Sequence, residues 1–285
     1  MIKIPKNDAH FFLKIEEHME ENVFALMKSI EFFSDLDNYY FTIMLPKNQK
    51  IKNKYIIKNS DIVYYENKDN LRPKWSGAIR YFLESKSSVC VMLDADVLVL
   101  NSLKEIITQV RSEVGVYGVL AHESPFKEEK MSWDIVLKQF NLKLELKSFK
   151  KQIKNNDYCP PCYFNNGFIV LNKKLMHKLA PYIKKYVYSL NNLKNKFKAQ
   201  ICFCLSVLEA GLPFKNLNYE YNFSSSMVDN FIKKNNIDTK KIKIFHYYNE
   251  KNIKNLYKKY YNCENYNIKY CLDKIYNYNK IKYFL

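Results

Sequence analysis

Apolar positions along this chain follow two different periods. Ile15, Met19, Val23, Met27 and Ile30 recur every three or four residues, which predicts a helix from Ile15 to Phe33. Tyr39-Tyr40-Phe41-Thr42-Ile43-Met44-Leu45 is a short continuous run stopped by Pro46, and Asp61-Ile62-Val63-Tyr64-Tyr65 is a second. Both predict strands. Helical spacing returns from Pro73 through Trp75, Ile79, Phe82 and Leu83, with the proline in the first turn, where its missing N–H is not needed. Val89 to Leu93 is then apolar at every position, the signature of a strand covered on both faces.

The alternation continues downstream. Asn101-Ser102 predicts a cap on a helix from Leu103 to about Arg111, and Val114 to Ala121 reads as another buried strand. Residues 123–160 interrupt the pattern with polar, lysine-rich sequence and a single expected helix, Trp133 to Phe140. Phe168 to Asn172 predicts a strand, Lys174 to Leu190 a helix, and Gln200 to Ala210 a helix closed by Gly211 with Pro213 beyond it. A late strand, Ile242 to Phe245, ends at His246. Strands alternating with helices of this length predict an α/β domain with a mixed, mostly parallel sheet flanked by helices. We read residues 1–250 as that domain and 251–285 as a basic, tyrosine-rich helical tail.

Composition narrows the class. With 285 residues and 47% hydrophobic content, the chain can bury a full core. No apolar run approaches the roughly 20 residues a bilayer span needs. The first residues also lack a secretory leader, so a cytoplasmic protein is expected. The net charge of +17 is spread along a chain rich in Lys, Asn, Ile and Tyr. It reads as compositional habit, and no nucleic-acid partner is expected. The tail is the exception: Leu256-Tyr257-Lys258-Lys259-Tyr260-Tyr261 suits an anionic membrane face as well as it suits helices folded back on the domain. Seven cysteines at irregular spacing, without a leader, point to reduced and buried thiols. Cys159-Pro160-Pro161-Cys162 lacks the second ligand pair of a structural zinc site.

The chemistry is concentrated after Leu93. There the apolar run is broken by Asp94 and Asp96 before resuming at Val97-Leu98-Val99-Leu100. In open α/β sheets, ligands bind outside the carboxyl ends of the strands. Two carboxylates at such an end are costly unless a cation meets them. Mg²⁺ or Mn²⁺ binds through one or two carboxylates together with substrate phosphates, and this is the chemistry the pair predicts. A turn with solvated aspartates is the alternative.

The order of motifs resembles glycosyltransferase family 8, a group with the GT-A fold. Arg80-Tyr81-Phe82-Leu83 and Val91-Met92-Leu93-Asp94-Ala95-Asp96-Val97-Leu98-Val99 are similar to its helix, strand and metal motif. Asn165-Asn166-Gly167-Phe168-Ile169-Val170-Leu171-Asn172 resembles its acceptor-site strand, and Leu212-Pro213 through Tyr221-Asn222 its following loop. Ile244-Phe245-His246-Tyr247 is similar to the strand whose histidine completes the metal site, and Lys251 follows where a phosphate-binding lysine is often found.

The resemblance implies a GT-A-like (Rossmann-like) fold and a metal-dependent glycosyltransferase. The donor would be a nucleotide-diphosphate sugar, a UDP-sugar foremost, and the acceptor a glycan or a lipid-linked sugar. Mn²⁺ or Mg²⁺ would be held by Asp94, Asp96 and His246, with Arg80 and Lys251 on the donor side. Asn165, Asn166 and Gly167 would line the sugar site. Gln200 would stand near the reacting carbon, with Asn166 as its catalytic companion. The tail would give peripheral contact with the inner face of the membrane. Two departures stand out. The family's first strand has no clear counterpart in residues 1–14, and Ala199 replaces an expected Asp. Retention and inversion both stay open; His122, Glu123 and Asp157 are the available bases for inversion. A catalytically inactive nucleotide-sugar-binding protein and a basic nucleic-acid-binding protein are the alternative readings.

Overall fold

Residues that alternate sides along a strand find two different cores in this chain, one on each face of a single sheet. In β4 (Val89–Leu93), Cys90 and Met92 point into one apolar cluster while Val89, Val91 and Leu93 point into the other. The same split separates Phe12 from Phe11 and Leu13 in β1 (Asp8–Lys14). It also separates Ile169 and Leu171 from Phe168 and Val170 in β7 (Phe164–Asn172). Burial on both faces explains why these strands read as unbroken apolar runs. Each such large side chain contributes roughly 1.5–3 kcal/mol on leaving water. The computed structural model describes residues 8–15, 17–65, 83–85, 87–121, 125–126, 131–142, 159–193, 195, 197–224, 238–247, 258, 269–274 and 277.

The sheet has seven strands in the order β3-β2-β1-β4-β7-β6-β8. The remaining members are β2 (Asn38–Pro46), β3 (Asp61–Tyr65), β6 (Val116–Leu120) and β8 (Phe214–Asn216). β1–β2, β1–β4, β2–β3 and β6–β8 are parallel, whereas β7 runs antiparallel to both β4 and β6. The mixed, mostly parallel sheet flanked by helices is therefore present. One core holds residues of α1 (Glu20–Phe33) and α3 (Lys104–Ser112). The other holds those of α4 (Trp133–Gln139), α5 (Met176–Ser189) and α6 (Lys198–Glu209). A short helix absent from the sequence reading, α2 (Lys54–Asn59), is capped by Asn53, whose side chain accepts from the N–H groups of Tyr55 and Ile56.

Several boundaries differ from the expected ones. The first helix begins at Glu20, after a 3₁₀ turn over Glu17–Met19, because Ile15 is held by a backbone bond to Met44 and packs beneath the sheet end. α3 starts after Leu103 with no side-chain cap: Ser102 accepts from Lys104 N–H at 3.3 Å in the turn before it, and Asn101 does not cap. Its amide donates instead to the carbonyls of Lys240 and Ile242, which ties down the lead-in to β10 (Ile244–His246). Gly211, after α6, has φ of +58°, the left-handed conformation of a helix stop.

The largest departure is β1. It sits in the middle of the sheet, paired with β2 on one side and β4 on the other, where the sequence offered no clear strand. His10 lies at its centre and is buried. Its ring nitrogens lie 3.0 Å from Ser85 Oγ and 2.9 Å from Thr42 Oγ1, so its polarity is satisfied inside the core.

A second, three-stranded sheet has the order β5-β10-β9, formed by β5 (Val97–Val99), β10 and β9 (Phe223–Ser224). It rests on α1, where Ser29 Oγ accepts from the N–H of Val99 at 2.9 Å. Residues 269–274 form a helix against the same region. Cys271 and Leu272 are buried there, and the Tyr270 ring meets Phe33 edge-on at 5.9 Å. Cys90, Cys159, Cys162, Cys202, Cys204 and Cys271 are all buried free thiols. The expected helix from Pro73 and most of the tail lie outside the described residues.

Candidate functional site

Register carries the two sheets to a common point. β4 ends opposite β7, with Leu93 paired to Phe168, so the next residues, Asp94 and Gly167, meet: Asp94 N–H lies 3.3 Å from the Gly167 carbonyl. The chain then turns through Ala95 and Asp96 into β5. In the second sheet His246 pairs with Val97, which sets its ring beside the turn. Tyr247 pins that turn from below, its N–H bonded to the Asp96 carbonyl at 3.0 Å and its hydroxyl 3.4 Å from the Ala95 carbonyl. Burial pushes the Tyr247 phenol well above its usual range, with the Asp96 carboxylate adding to the effect, so it stays a donor.

The three expected ligands converge. His246 Nε2 stands 3.3 Å from Asp96 Oδ1 and 4.0 Å from Asp94 Oδ2. One ligand atom from each residue lies within 4.8 Å of the other two, the one such group among the described residues. Two carboxylate oxygens and an imidazole nitrogen fit a divalent cation; carboxylates suit Mg²⁺ and Mn²⁺ alike, and the imidazole favours the transition metal. The two aspartates are partly exposed and His246 is buried, so the group opens on one side, where substrate oxygens have access.

Asn222, given no role by the sequence reading, lies at the centre of the polar contacts behind the histidine. It is almost fully buried. Its Oδ1 is 3.0 Å from His246 Nδ1, and its Nδ2 donates to Asn165 Oδ1 at 2.9 Å. Asn165 Oδ1 also accepts from the N–H of Gly167 at 2.8 Å. The only sequence signal for Asn222 was its place at the end of the Leu212–Asn222 loop; its contact is made across 24 residues, which no local pattern reveals.

Asn166 follows on β7 with its side chain buried. Gln200 stands in the first turn of α6, which packs against α5 and β7. Its Oε1 is buried with no hydrogen-bond partner. Ala199, half-buried, packs against the apolar core rather than offering a polar group. Arg80 and Lys251, together with His122, Glu123 and Asp157, lie outside the described residues.

Burial pushes the thiols of Cys159 and Cys202 up to about 12, which removes them as nucleophiles at neutral pH. Cys162 Sγ is 3.7 Å from Cys204 Sγ, and among the described residues these cysteines belong to no group of three metal-ligating side chains.

Among solved structures, the chain is similar to galactosyltransferase LgtC in complex with donor and acceptor sugar analogs, with a TM-score of 0.58 and 12% identity over 94% of this chain and 95% of that one. It is also similar to the apo form of mouse xyloside xylosyltransferase 1, with a TM-score of 0.52 and 12% identity over 85% of this chain and 98% of that one. At such identity the likeness is one of fold. The fold is of the GT-A type. The chain belongs to glycosyl transferase family 8, whose family model matches residues 17–255. A search of curated protein sequences gives no match.

Proposed function

We propose that the protein moves a sugar from a nucleotide-diphosphate donor, a UDP-sugar foremost, to a hydroxyl of a glycan or lipid-linked acceptor. Mn²⁺ or Mg²⁺ would be held by Asp94, Asp96 and His246. The observation that carries this reading is the convergence of those three ligand atoms within 4.8 Å at the carboxyl end of β4. The donor and acceptor analogues bound by LgtC support the same pair of substrate classes.

A divalent cation there supplies neutralisation of the charge that builds on the departing diphosphate. The chain's own residues bind and orient. Asp94, Asp96 and His246 fix the cation's place; Arg80 and Lys251 add positive charge for the phosphates. Asn165 and Asn166 would offer amides to sugar hydroxyls, and Gly167 would let the backbone approach closely. Gln200 presents a buried oxygen with no protein partner, as a group reserved for substrate does. The bond between the anomeric carbon and the diphosphate oxygen breaks, the acceptor oxygen bonds to that carbon, and its proton passes to the departing diphosphate in a retaining reaction or to a general base in an inverting one. We place the reaction on the cytoplasmic side, with peripheral contact to the inner membrane face through the basic, tyrosine-rich tail of residues 251–285.

Thermal-shift screening of nucleotide diphosphates and nucleotide sugars, with and without Mn²⁺, tests the proposal. Stabilisation by one nucleotide should require the metal and vanish in Asp96→Ala. No stabilisation under any metal condition sinks it. Ala199, where the family often carries Asp, favours a second reading in which the protein binds nucleotide sugar without turnover. Metal-dependent binding with neither transfer nor hydrolysis of the donor selects that reading.

A further inference from the structure

Hydrogen-bond polarity behind the metal ligands can be read outward from one atom whose role admits no choice. The backbone N–H of Gly167 can only donate, and its partner 2.8 Å away is the side chain of Asn165. The atom facing it must be the amide oxygen, since the amide nitrogen has no acceptor capacity. That oxygen lies 2.9 Å from the side-chain amide of Asn222, so Asn222 must turn its Nδ2 toward Asn165. The opposite end of the same planar group, Oδ1, is thereby aimed at His246 Nδ1, 3.0 Å away. An amide oxygen only accepts, so Nδ1 must carry the ring proton. In the neutral imidazole, Nε2 then keeps its lone pair, and Nε2 is the atom that faces Asp96 and Asp94.

We propose that Asn222 is a positioning residue that sets the tautomer of His246 for metal ligation, and that Asn165 acts as the relay that fixes the polarity of Asn222 from the Gly167 backbone. The sequence of roles is Gly167 N–H to Asn165 Oδ1, Asn222 Nδ2 to the same oxygen, and His246 Nδ1–H to Asn222 Oδ1. One strand of the large sheet thus dictates the protonation of a residue in the small sheet, through a side chain that touches neither carboxylate. Metal-ligating histidines generally donate their second ring N–H to such a partner, which holds the ring and raises its basicity as a ligand. Here the partner's own orientation is determined by a backbone group, so the arrangement does not depend on the metal being present. Asn165 gains a role separate from any sugar contact, because its amide oxygen already serves two donors.

The inference rests on the proposed metal site, yet its first test needs no metal. In metal-free protein at alkaline pH, where the imidazole is neutral, ¹H–¹⁵N correlation spectra of His246 should show the proton on Nδ1. Asn222→Leu should move the population toward the Nε2–H form and weaken Mn²⁺ binding, followed by electron paramagnetic resonance, by about 10–100-fold. Asn165→Asp keeps an acceptor opposite both donors and should leave the tautomer unchanged. A neutral His246 protonated on Nε2 in the wild type overturns the proposal without any variant. An unchanged tautomer or metal affinity in a folded Asn222→Leu protein overturns it as well. If Asn222→Leu does not fold, the wild-type spectrum and the Asn165→Asp spectrum decide. If wild type binds no Mn²⁺ while His246 still carries its proton on Nδ1, the metal reading fails and the tautomer relay stands.

Discussion

A β-carbon placed on Gly167 would stand 2.6 Å from Nδ1 of His246, closer than side-chain carbons approach a ring nitrogen, and 2.9 Å from Oδ1 of Asn222. Neither neighbour can retreat, since His246 and Asn222 are only 5% and 1% exposed. Gly167→Ala should therefore displace the ligand histidine while the sheet survives. We expect Mn²⁺ affinity to fall at least ~10-fold, and stability to drop by about 1–3 kcal/mol from overpacking. A Mn²⁺ titration with a thermal melt checks both; unchanged affinity in the folded variant contradicts the geometry.

Asp94→Asn and Asp96→Asn keep the shape of the turn and remove one charge each. Partly exposed charged groups of this kind contribute about 1 kcal/mol or less to folding, so the metal-free proteins should melt close to wild type. Turnover should fall ~10²-fold or more, since the lost transition-state stabilisation is several kcal/mol. Transfer assays over a Mn²⁺ series separate the effects. Full activity at ordinary metal concentration would remove the aspartates from the site.

Gln200 carries a buried oxygen with no partner, a feature that costs stability in the free protein. Gln200→Met fills similar space without that oxygen. The variant should be as stable as wild type or up to ~1 kcal/mol more stable, while turnover drops about 10²-fold with little change in KM. Urea denaturation and steady-state kinetics supply the two numbers. A loss of stability with intact turnover would make Gln200 a structural residue.

The thiols should be silent. Burial pushes Cys90, Cys159 and Cys202 up to about 12, and Cys204 and Cys271 rise as well. Thiolate is then scarce at neutral pH. In the native protein, Ellman's reagent should find at most one fast equivalent, from Cys263, and seven after denaturation. Two or more fast equivalents in the folded state would contradict the burial.

How far the sequence was legible depended on whether a residue's partners were local. Val89–Leu93 and Asp61–Tyr65 were located to the residue because an apolar run needs no distant information. Asp94 and Asp96 could be picked out because strand ends in an α/β sheet are where ligands gather; His246 was joined to them only through the resemblance to glycosyltransferase family 8. Asn222 was not, because its function depends on an amide orientation settled by Asn165 and Gly167, 57 residues away along the chain in the case of Asn165. Asn101 was misread as a cap because its true acceptors are 139 and 141 residues distant. β1 failed for a related reason: His10 breaks its apolar run, and the groups that make a histidine acceptable there come from Thr42 and Ser85.

That explanation of β1 has a measurable consequence. His10 stacks on Phe12, with ring centroids 4.2 Å apart, while its two nitrogens bond Thr42 and Ser85. His10→Leu keeps most of the packing and strands the Thr42 hydroxyl; Ser85 retains its contacts with Ser87. The expected cost is about 1–3 kcal/mol, the penalty of a buried hydroxyl deprived of its partner. Thr42→Val in the same background removes the stranded group and should recover part of that loss, because replacing both partners with apolar groups is far milder than replacing one. The coupling appears as non-additivity in a double-mutant cycle measured by urea denaturation. Mn²⁺ binding should not change in either variant. His10 pairs with Cys90, four residues before Asp94, which puts it about 13 Å from the metal ligands along the strand. Additive losses would mean that His10 and Thr42 do not satisfy each other, and that the central strand tolerates its histidine by some other means.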